Sequence, residues 1–294
     1  MKKLWLIMAV AMSLAVACGK NNPQPQKEEP QKETPVTPTP TPTPTPEQKQ
    51  TPKPETVRLV VSDEGSSVKY IELTESGTYL LCEVNADKDY EYSFGNYTVD
   101  SDGQFILGKD AVLTYEQTGS PVTFTLKKND GKTISGKATP NRNTSTSGDV
   151  KKLCKTWVIN KTRVSITDGA KANADFTGCN LGEIAEFARN QGIEIKKDFN
   201  GISITSITVM PTGSVIILYS TGRMDVADCD FSKVDKGTLK FSWHDESALG
   251  YELANGNADI AFQGDYCLLT VASDFTKDSK KYAVSVTFVL AEKK

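Results

Sequence analysis

Apolar and polar residues alternate along much of the chain beyond residue 57, in short segments separated by turns that contain glycine. The longest such segment lies near the C-terminus, where every second position is apolar: Tyr282, Val284, Val286, Phe288 and Leu290. A period of two places successive side chains on opposite faces of a strand, so the pattern indicates antiparallel β-structure with one buried face. We therefore predict a mainly β protein.

A polar segment separates two β-regions. Residues 58–139 are predicted to form a smaller antiparallel β-domain, residues 140–149 a linker (beginning PNRNTSTSG), and residues 150–294 a longer antiparallel meander. One helix is predicted in the second region, over about residues 180–191, with a capping pattern at its start and Gly192 at its end. The cap is formed by Asn180 and Glu183, and the apolar face by Leu181, Ile184, Ala185 and Ala188.

The two regions contain similar hairpin patterns. Residues 71–81 (IELTESGTYLL) parallel residues 207–217 (ITVMPTGSVII), and the turn at residues 99–103 parallels that at residues 234–237. An internal duplication would explain this similarity, and so would the turn residues and alternation that any two hairpins share. Both explanations stay open from the sequence alone.

The N-terminus has the layout of a secretion signal. Lys2 and Lys3 precede an apolar run at residues 4–17, which is too short to span a bilayer comfortably, and Cys18 follows it. The small residues just before Cys18 resemble the lipobox of bacterial lipoproteins. This resemblance implies removal of residues 1–17 as a signal peptide and acylation of Cys18, whose fatty acyl chains, such as palmitate, would anchor the protein in a membrane.

Residues 18–57 are predicted to be the acylated end and a disordered tether. Few of these residues can be buried, and proline recurs at every second position from Pro38 to Pro46. Proline favours the extended polyproline II form, in which the segment would reach about 100 Å at about 3.1 Å per residue. Gly19 stands where an aspartate would favour the inner membrane, so the resemblance implies a lipid-anchored protein of the outer membrane, on its periplasmic or its surface face.

Residues 150–294 resemble the C-terminal lipocalin-like domains of lipoproteins from Bacteroidetes-type bacteria. The resemblance lies in the segment LCKTW with Trp157, in the helix after it and in the meander that runs to the C-terminus, whereas Lys155 stands where lipocalins have glycine. It implies an up-and-down β-barrel whose interior holds a small apolar ligand or is filled by side chains. For residues 58–139 two alternatives stay open: a shorter barrel related to this one, or a separate β-sandwich.

Composition argues against several classes of function. The formal charge is −3 and the chain has no basic cluster, which argues against a nucleic-acid partner. The six cysteines and the one histidine lack the paired spacing of a zinc site, so we predict neither a metal site nor another cofactor. How the cysteines other than Cys18 pair stays open.

The sequence contains no catalytic motif. His244 lies in the segment WHDES, which predicts a polar turn and not a catalytic triad, because no GxSxG elbow accompanies it. Asp225, Asp228 and Asp230 are predicted to be solvated loop residues, since the spacing of a calcium loop is missing. We therefore expect a protein that is not an enzyme.

Aromatic residues are the candidate ligand contacts. Tyr90, Tyr92 and Tyr97, together with Phe94, are predicted to form a face for sugar stacking, and Trp243 to line a barrel mouth. Half-buried strand aromatics would give the same pattern. The leading hypothesis is a membrane-anchored, non-enzymatic binding module for a small lipid-like or saccharide ligand. The alternative is a structural or interaction subunit of a cell-surface assembly, which would have a protein partner.

Overall fold

The computed structural model describes residues 52–142, 148–244, 256–277 and 279–293. Cys18, the predicted signal peptide and nearly all of the predicted tether lie outside these residues, as does the segment 245–247 that follows His244. The described chain forms two antiparallel β-barrels, one after the other in sequence.

Barrel 1 is a closed ring of strands in sequential order, in which the first strand pairs with the last. Its strands are β1 (Val57–Val61), β2 (Val68–Leu73), β3 (Thr78–Val84), β4 (Tyr90–Val99), β5 (Phe105–Leu107), β6 (Ala111–Tyr115), β7 (Val122–Lys128) and β8 (Thr133–Asn141). Residues 58–139 are therefore part of a closed barrel and not a sandwich. The strand β8 extends into the predicted linker, and it escaped prediction because most of its residues are polar or exposed.

Barrel 2 has the same up-and-down order with one extra strand. Its strands are β9 (Thr156–Thr167), β10 (Lys171–Thr177), β11 (Ile204–Val209), β12 (Ser214–Tyr219), β13 (Met224–Asp230), β14 (Thr238–Trp243), β15 (Gly256–Gln263), β16 (Tyr266–Lys277) and β17 (Lys280–Glu292). Pairing of β17 with β9 closes the ring. Along its other edge β9 pairs first with β11, at Thr156 and Trp157, and then with the extra strand β10, at residues 161–167. The prediction of an antiparallel meander that forms a barrel is confirmed.

In the described chain two α-helices, α1 (Gly148–Leu153) and α2 (Leu181–Asn190), accompany barrel 2, together with a 3₁₀ turn at Val234–Lys236. The structure confirms α2: the side chain of Asn180 accepts hydrogen bonds at the first turn, and the predicted apolar face is buried. The prediction of a single helix is wrong, because the structure also contains α1. This helix was missed because its six residues are too few to show a helical period. Among the described residues, no helix has the length and apolar character needed to cross a membrane.

The two barrels pack against each other through side chains that point outward from their walls. We call this contact the inter-barrel core; it consists of Tyr70, Leu80, Cys82, Met210, Ile216 and Val226. The central strands β3 and β12 are consequently buried on both faces, one toward their own barrel and one toward the other barrel. This burial accounts for the continuous apolar runs in both strands, which depart from simple alternation.

Candidate ligand-binding site

An apolar cavity lies inside barrel 2. Its volume is about 60 Å³, and no polar surface lines it. Its lining comes from most strands of the barrel and from the start of α2: Cys179, Leu181, Ile184, Ile204, Ile207, Val215, Ile217, Ala227, Leu239, Phe241, Trp243, Ala258, Leu269, Val271, Val286 and Phe288. Inward-facing positions on successive strands therefore converge on one space.

The helices cover opposite ends of barrel 2. At the end where β9 begins, α1 packs into the core through Val150 and Leu153, and the indole Nε1 of Trp157 donates to the Leu153 carbonyl at 2.8 Å. At the other end, α2 places Leu181 and Ile184 against the cavity. Of the two helices, α2 therefore contributes to the cavity lining, whereas α1 contributes to the surrounding core.

The character of the lining decides which chemistry fits inside. An apolar cavity does not hold water well, because a buried water needs two to four polar partners. A sugar hydroxyl placed there without a partner would cost about 1–3 kcal/mol. An engineered cavity of about 150 Å³ accepts benzene or xenon, so a smaller cavity suits a methyl group or the end of a hydrocarbon chain.

The structure places Trp243 in the lining of this cavity. It is the last residue of β14, and its ring meets that of Phe241 edge to face, with centroids 5.9 Å apart. Indole is large and apolar with one polar edge, which suits it to the border between a dry cavity and solvent. Of the four aromatic candidates, Trp243 alone lies at the barrel 2 cavity.

The three candidate tyrosines do not form a common face. Tyr90 and Tyr92 stack, with ring centroids 6.2 Å apart and planes at 9°, on the outside of barrel 1. Tyr97 instead lies inside barrel 1, where its hydroxyl donates to the Thr74 carbonyl at 2.6 Å. The predicted sugar-stacking face is therefore wrong for Tyr97, because an odd spacing from the other two tyrosines turns its side chain to the opposite side of the strand.

His244 joins the two barrels. Its Nδ1 lies 3.0 Å from the hydroxyl of Tyr92 in barrel 1, and its Nε2 lies 2.9 Å from Asp228 Oδ2 in barrel 2. The other oxygen of Asp228 accepts from Arg58 of barrel 1 at 2.6 Å. His244 lies in a bend directly after β14, in agreement with the predicted turn, and its ring also packs near Tyr90 and Tyr92 and forms part of a polar network at the contact between the barrels.

Arg58 holds a second carboxylate in the same network. Its Nε lies 3.3 Å from Glu72, whose side chain is fully buried and also accepts from Ser214 of barrel 2 at 2.8 Å. The guanidinium carbon of Arg58 lies 4.0 Å from the ring centroid of Tyr70, a cation–π contact. One arginine thus connects both barrels through two carboxylates and an aromatic ring.

Burial and the charge of Arg58 have opposite effects on the pKa values of Glu72 and Asp228. Burial raises the pKa of Glu72, and the charge of Arg58 offsets this only in part. Burial also opposes ionisation of Asp228, but hydrogen bonding from His244 and the charge of Arg58 outweigh it and lower the pKa of that carboxyl. Asp228 is therefore the carboxylate of the network whose charge is better stabilised.

The acidic residues of β13 do not form a cation site. Asp225 is buried and accepts from the hydroxyl of Tyr219, Asp228 belongs to the network above, and Asp230 accepts from the Ser232 amide at 2.8 Å. All three lie on a strand, which corrects their assignment to solvated loops. In the part of the chain that the structure describes, no group of histidine, cysteine and acidic residues could hold a metal ion.

Sequence reasoning missed the contact between the barrels, although it left a signal. In TYLLCEV and SVIILY the outward positions Leu80, Cys82 and Ile216 are apolar, where a strand facing solvent would have polar residues. Two strands with apolar residues on both faces indicate that each is covered on both sides. The charged partners Arg58 and Glu72 gave no comparable signal, because a single charge on a strand is ordinarily solvated.

Comparisons with known proteins yield no family. No protein-family model matches the chain, and no curated protein matches its sequence. One similar solved structure is a DUF3598-family protein of unknown function from Nostoc punctiforme, 9% identical, with 82% of this chain and 94% of that chain covered and a TM-score of 0.22. Another is intact Ap-TbpB with its N and C lobes, 11% identical, with 81% of this chain and 60% of that chain covered and a TM-score of 0.22. Likenesses this weak carry no functional argument.

Proposed function

We propose that the chain is a membrane-tethered, non-enzymatic binding protein that takes the end of a small lipid-like ligand into barrel 2. The observation that carries the proposal is the cavity of about 60 Å³ with its wholly apolar lining. Apolar surface that stays free of protein contacts inside a barrel gains stability when a ligand fills it. Between the two ligand classes considered, lipid-like and saccharide, this lining favours the first.

The N-terminal residues give the protein its proposed location. Acyl chains on Cys18 would hold it at the outer membrane, and the proline-rich segment at residues 19–57 would let the barrels stand off the lipid surface. A tethered barrel could then collect or deliver a lipid-like molecule near the membrane without an enzymatic step.

Quenching of tryptophan fluorescence tests the proposal, since Trp243 lines the cavity and Trp157 lies in the core of the same barrel. The intact lipoprotein in lipid nanodiscs is titrated with short-chain brominated fatty acids, since bromine quenches indole emission on contact. A matched pair of variants on β15 separates cavity binding from partition into lipid. Ala258→Leu fills the cavity, whereas Ala261→Leu adds the same side chain at an exposed position of the same strand.

We expect saturable quenching in the native protein and in Ala261→Leu, and an affinity lower by about tenfold or more in Ala258→Leu, which corresponds to about 1.4 kcal/mol. Equal quenching in the two variants would mean that the acids bind elsewhere. Absence of saturable quenching in the native protein would remove the proposed function.

A groove outside barrel 2 favours the interaction subunit as a second candidate function. Its volume is about 690 Å³, and it is lined by Lys152, Lys155, Trp157, Phe262, Gly264, Asp265, Tyr266, Ala291 and Glu292. Tyr266 is 41% exposed, and aromatic residues are enriched in protein interfaces. Tyr266→Ser should abolish cross-linking to a protein partner at native expression, whereas Tyr90→Ser, which changes another exposed tyrosine, should leave it intact.

A further inference from the structure

The segment 181–202, which we call the flap, leaves and rejoins the wall of barrel 2 at one place. It contains α2 and the chain that returns from it. The amide of Leu181 donates to the carbonyl of Ile202 at 2.9 Å, and the flanking residues Asn180 and Ser203 form an antiparallel bridge. A segment whose two ends lie side by side can swing about that point while both ends stay attached.

Packing, and not hydrogen bonding, holds α2 on the barrel. Among the described residues, the hydrogen bonds of residues 182–190 stay within the helix, its Asn180 cap and the chain that follows, where Arg189 donates to the carbonyls of Ile195 and Lys197. The contacts with the barrel core are apolar, and two of the four buried residues on this face are alanines. Residues 182–190 are thus held on the barrel by apolar packing, while the base of the flap is held by hydrogen bonds, among them the one from the Ser220 hydroxyl to the Gly201 carbonyl at 3.3 Å.

The flap supplies part of the cavity lining beside two wall strands that share few paired positions. Strands β9 and β11 pair directly at only two positions, Trp157 with Ile207 and Thr156 with Thr208, whereas the corresponding strands β1 and β2 of barrel 1 pair at four. Leu181 of the flap lines the cavity, as does the flanking residue Cys179. Movement of the flap would expose the cavity at this point.

We infer that the flap is the lid of the ligand site and that a hydrocarbon chain enters barrel 2 beneath α2. The inference deepens the proposed function and depends on it for the identity of the ligand. The lid itself follows from the paired ends of the flap, the apolar attachment of α2 and its place in the lining. An apolar chain end would meet apolar side chains throughout such a passage.

A pair of substitutions at one exposed position of α2 tests the lid. Glu186→Gly weakens the helix without touching its buried face, and Glu186→Ala removes the same carboxylate while keeping helix propensity high. In the intact lipoprotein, alkylation of Cys179 by N-ethylmaleimide reports opening of the flap. Cys267, also buried in barrel 2 but absent from the cavity lining, is the internal reference, and peptide mass spectrometry follows both thiols.

We expect Cys179 to react about fivefold faster in Glu186→Gly than in Glu186→Ala, from the difference in helix propensity, with no change at Cys267. Association and dissociation rates of the brominated fatty acids should rise by the same factor, leaving the dissociation constant unchanged. Equal Cys179 rates in the two variants, or an equal rise at Cys267, would overturn the lid.

The kinetic and equilibrium results separate the lid from the proposed function. Saturable binding of the acids with identical rates in both variants would overturn the lid and leave the binding function standing. Faster Cys179 alkylation in a protein that binds none of the acids would support the lid and remove the binding function.

Discussion

Barrel 1 and barrel 2 have the same strand order and the same central hairpin, but the side chains that face their interiors differ in size, and barrel 2 contains an apolar cavity. In barrel 1 the turn glycine Gly77 has a φ of 83°, and its carbonyl accepts from the Tyr97 amide at 2.7 Å. In barrel 2 Gly213 has a φ of 103°, and its carbonyl accepts from the Cys229 amide at 2.7 Å. The hairpins that looked alike in sequence are thus alike in backbone conformation and occupy the same place in the strand order.

The strand register identifies which residues make the interiors differ. Tyr79 pairs with Gly95 in barrel 1, and at the corresponding place in barrel 2 Val215 pairs with Ala227. The Tyr79 ring packs closely against this glycine, since a Cβ on Gly95 would lie 3.3 Å from the ring, a tight contact. Val215 and Ala227 both line the cavity. Barrel 1 therefore pairs the large side chain of Tyr79 with a glycine. Barrel 2 pairs a valine with an alanine, and the cavity lies beside them.

A second aromatic residue of barrel 1 has a smaller counterpart in barrel 2. By the hydrogen bonds to the turn glycines, Tyr97 corresponds to Cys229, and both side chains pack toward their barrel interiors. In barrel 1 the Tyr97 ring contacts Phe105 at a centroid distance of 5.6 Å. The comparison teaches that a few side-chain volumes can decide how much space the interior of a barrel of this topology leaves.

The largest loss of stability is expected from a substitution at the contact between the two barrels. Arg58→Leu would leave Glu72 buried without its cation and should lower the free energy of unfolding by about 3–5 kcal/mol. Chemical denaturation measures this loss. Because burial raises the pKa of Glu72 above its unfolded value, the loss should be smallest at acidic pH and grow as the pH rises through the folded pKa.

The double variant Arg58→Leu with Glu72→Gln provides the control. The amide can still accept from Ser214 and carries no charge, so it should recover much of the lost stability and remove the added pH dependence. A double variant as unstable as Arg58→Leu would show that the charge of Glu72 does not cause the loss.

Opening barrel 1 sharpens the comparison between the interiors. Tyr79→Val removes a buried ring and the hydrogen bond from its hydroxyl to Asp110, and should cost about 3–5 kcal/mol of stability. Adding Gly95→Ala should recover part of this cost, because the new methyl occupies space vacated by the ring. Thermal and chemical unfolding of the single and double variants measure the coupling, and additive effects would argue against the paired fit of these two residues.

Filling barrel 2 is the reciprocal change. Val215→Tyr with Ala227→Gly transfers the barrel 1 pair into the cavity, so binding of brominated fatty acids should be lost while the β-structure is retained. Circular dichroism and Trp243 quenching measure the two properties. Retained binding in a folded double variant would show that the cavity near Val215 is not where the acids bind.

The smallest effect on the barrels is expected from the anchor. Cys18→Ala should abolish incorporation of labelled fatty acid and release from the signal peptide, yet leave the unfolding of the barrels unchanged. Residues 19–51 contain a single aliphatic residue, Val36, and Val57 at the end of the predicted tether already belongs to β1, where Cys18→Ala does not alter it. Radiolabelling, membrane fractionation and denaturation check these outcomes. Label retained by Cys18→Ala in the membrane fraction would point to another anchoring site.

Local patterns predicted much of this fold. Alternation over residues 282–290 identified β17, and the Asn180 cap with the spacing of Leu181 and Ile184 identified α2 and its buried face. Both elements are determined by residues that are close together in sequence, so a local pattern is enough to predict them. The short helix α1 and the polar strand β8 lack such a period and were not recognised.

The candidate site was harder to predict because it depends on residues far apart in sequence. His244 meets Tyr92 and Asp228 only because two barrels pack wall to wall, which no local pattern states. Trp243 could be proposed for a barrel mouth from its strand, but the cavity beside it depends on the volumes of residues such as Val215 and Ala227 on other strands. The position of Tyr97, by contrast, could have been corrected from its odd spacing to Tyr92.

Xenon bound in crystals of the intact protein tests the central claim most directly, because xenon occupies dry apolar cavities and scatters strongly. The account predicts one xenon site inside barrel 2, against Val215, Ala227 and Phe241, and none inside barrel 1. Xenon inside barrel 1, or no xenon inside barrel 2, would contradict the claim that the two barrels differ in having a solid and an open interior.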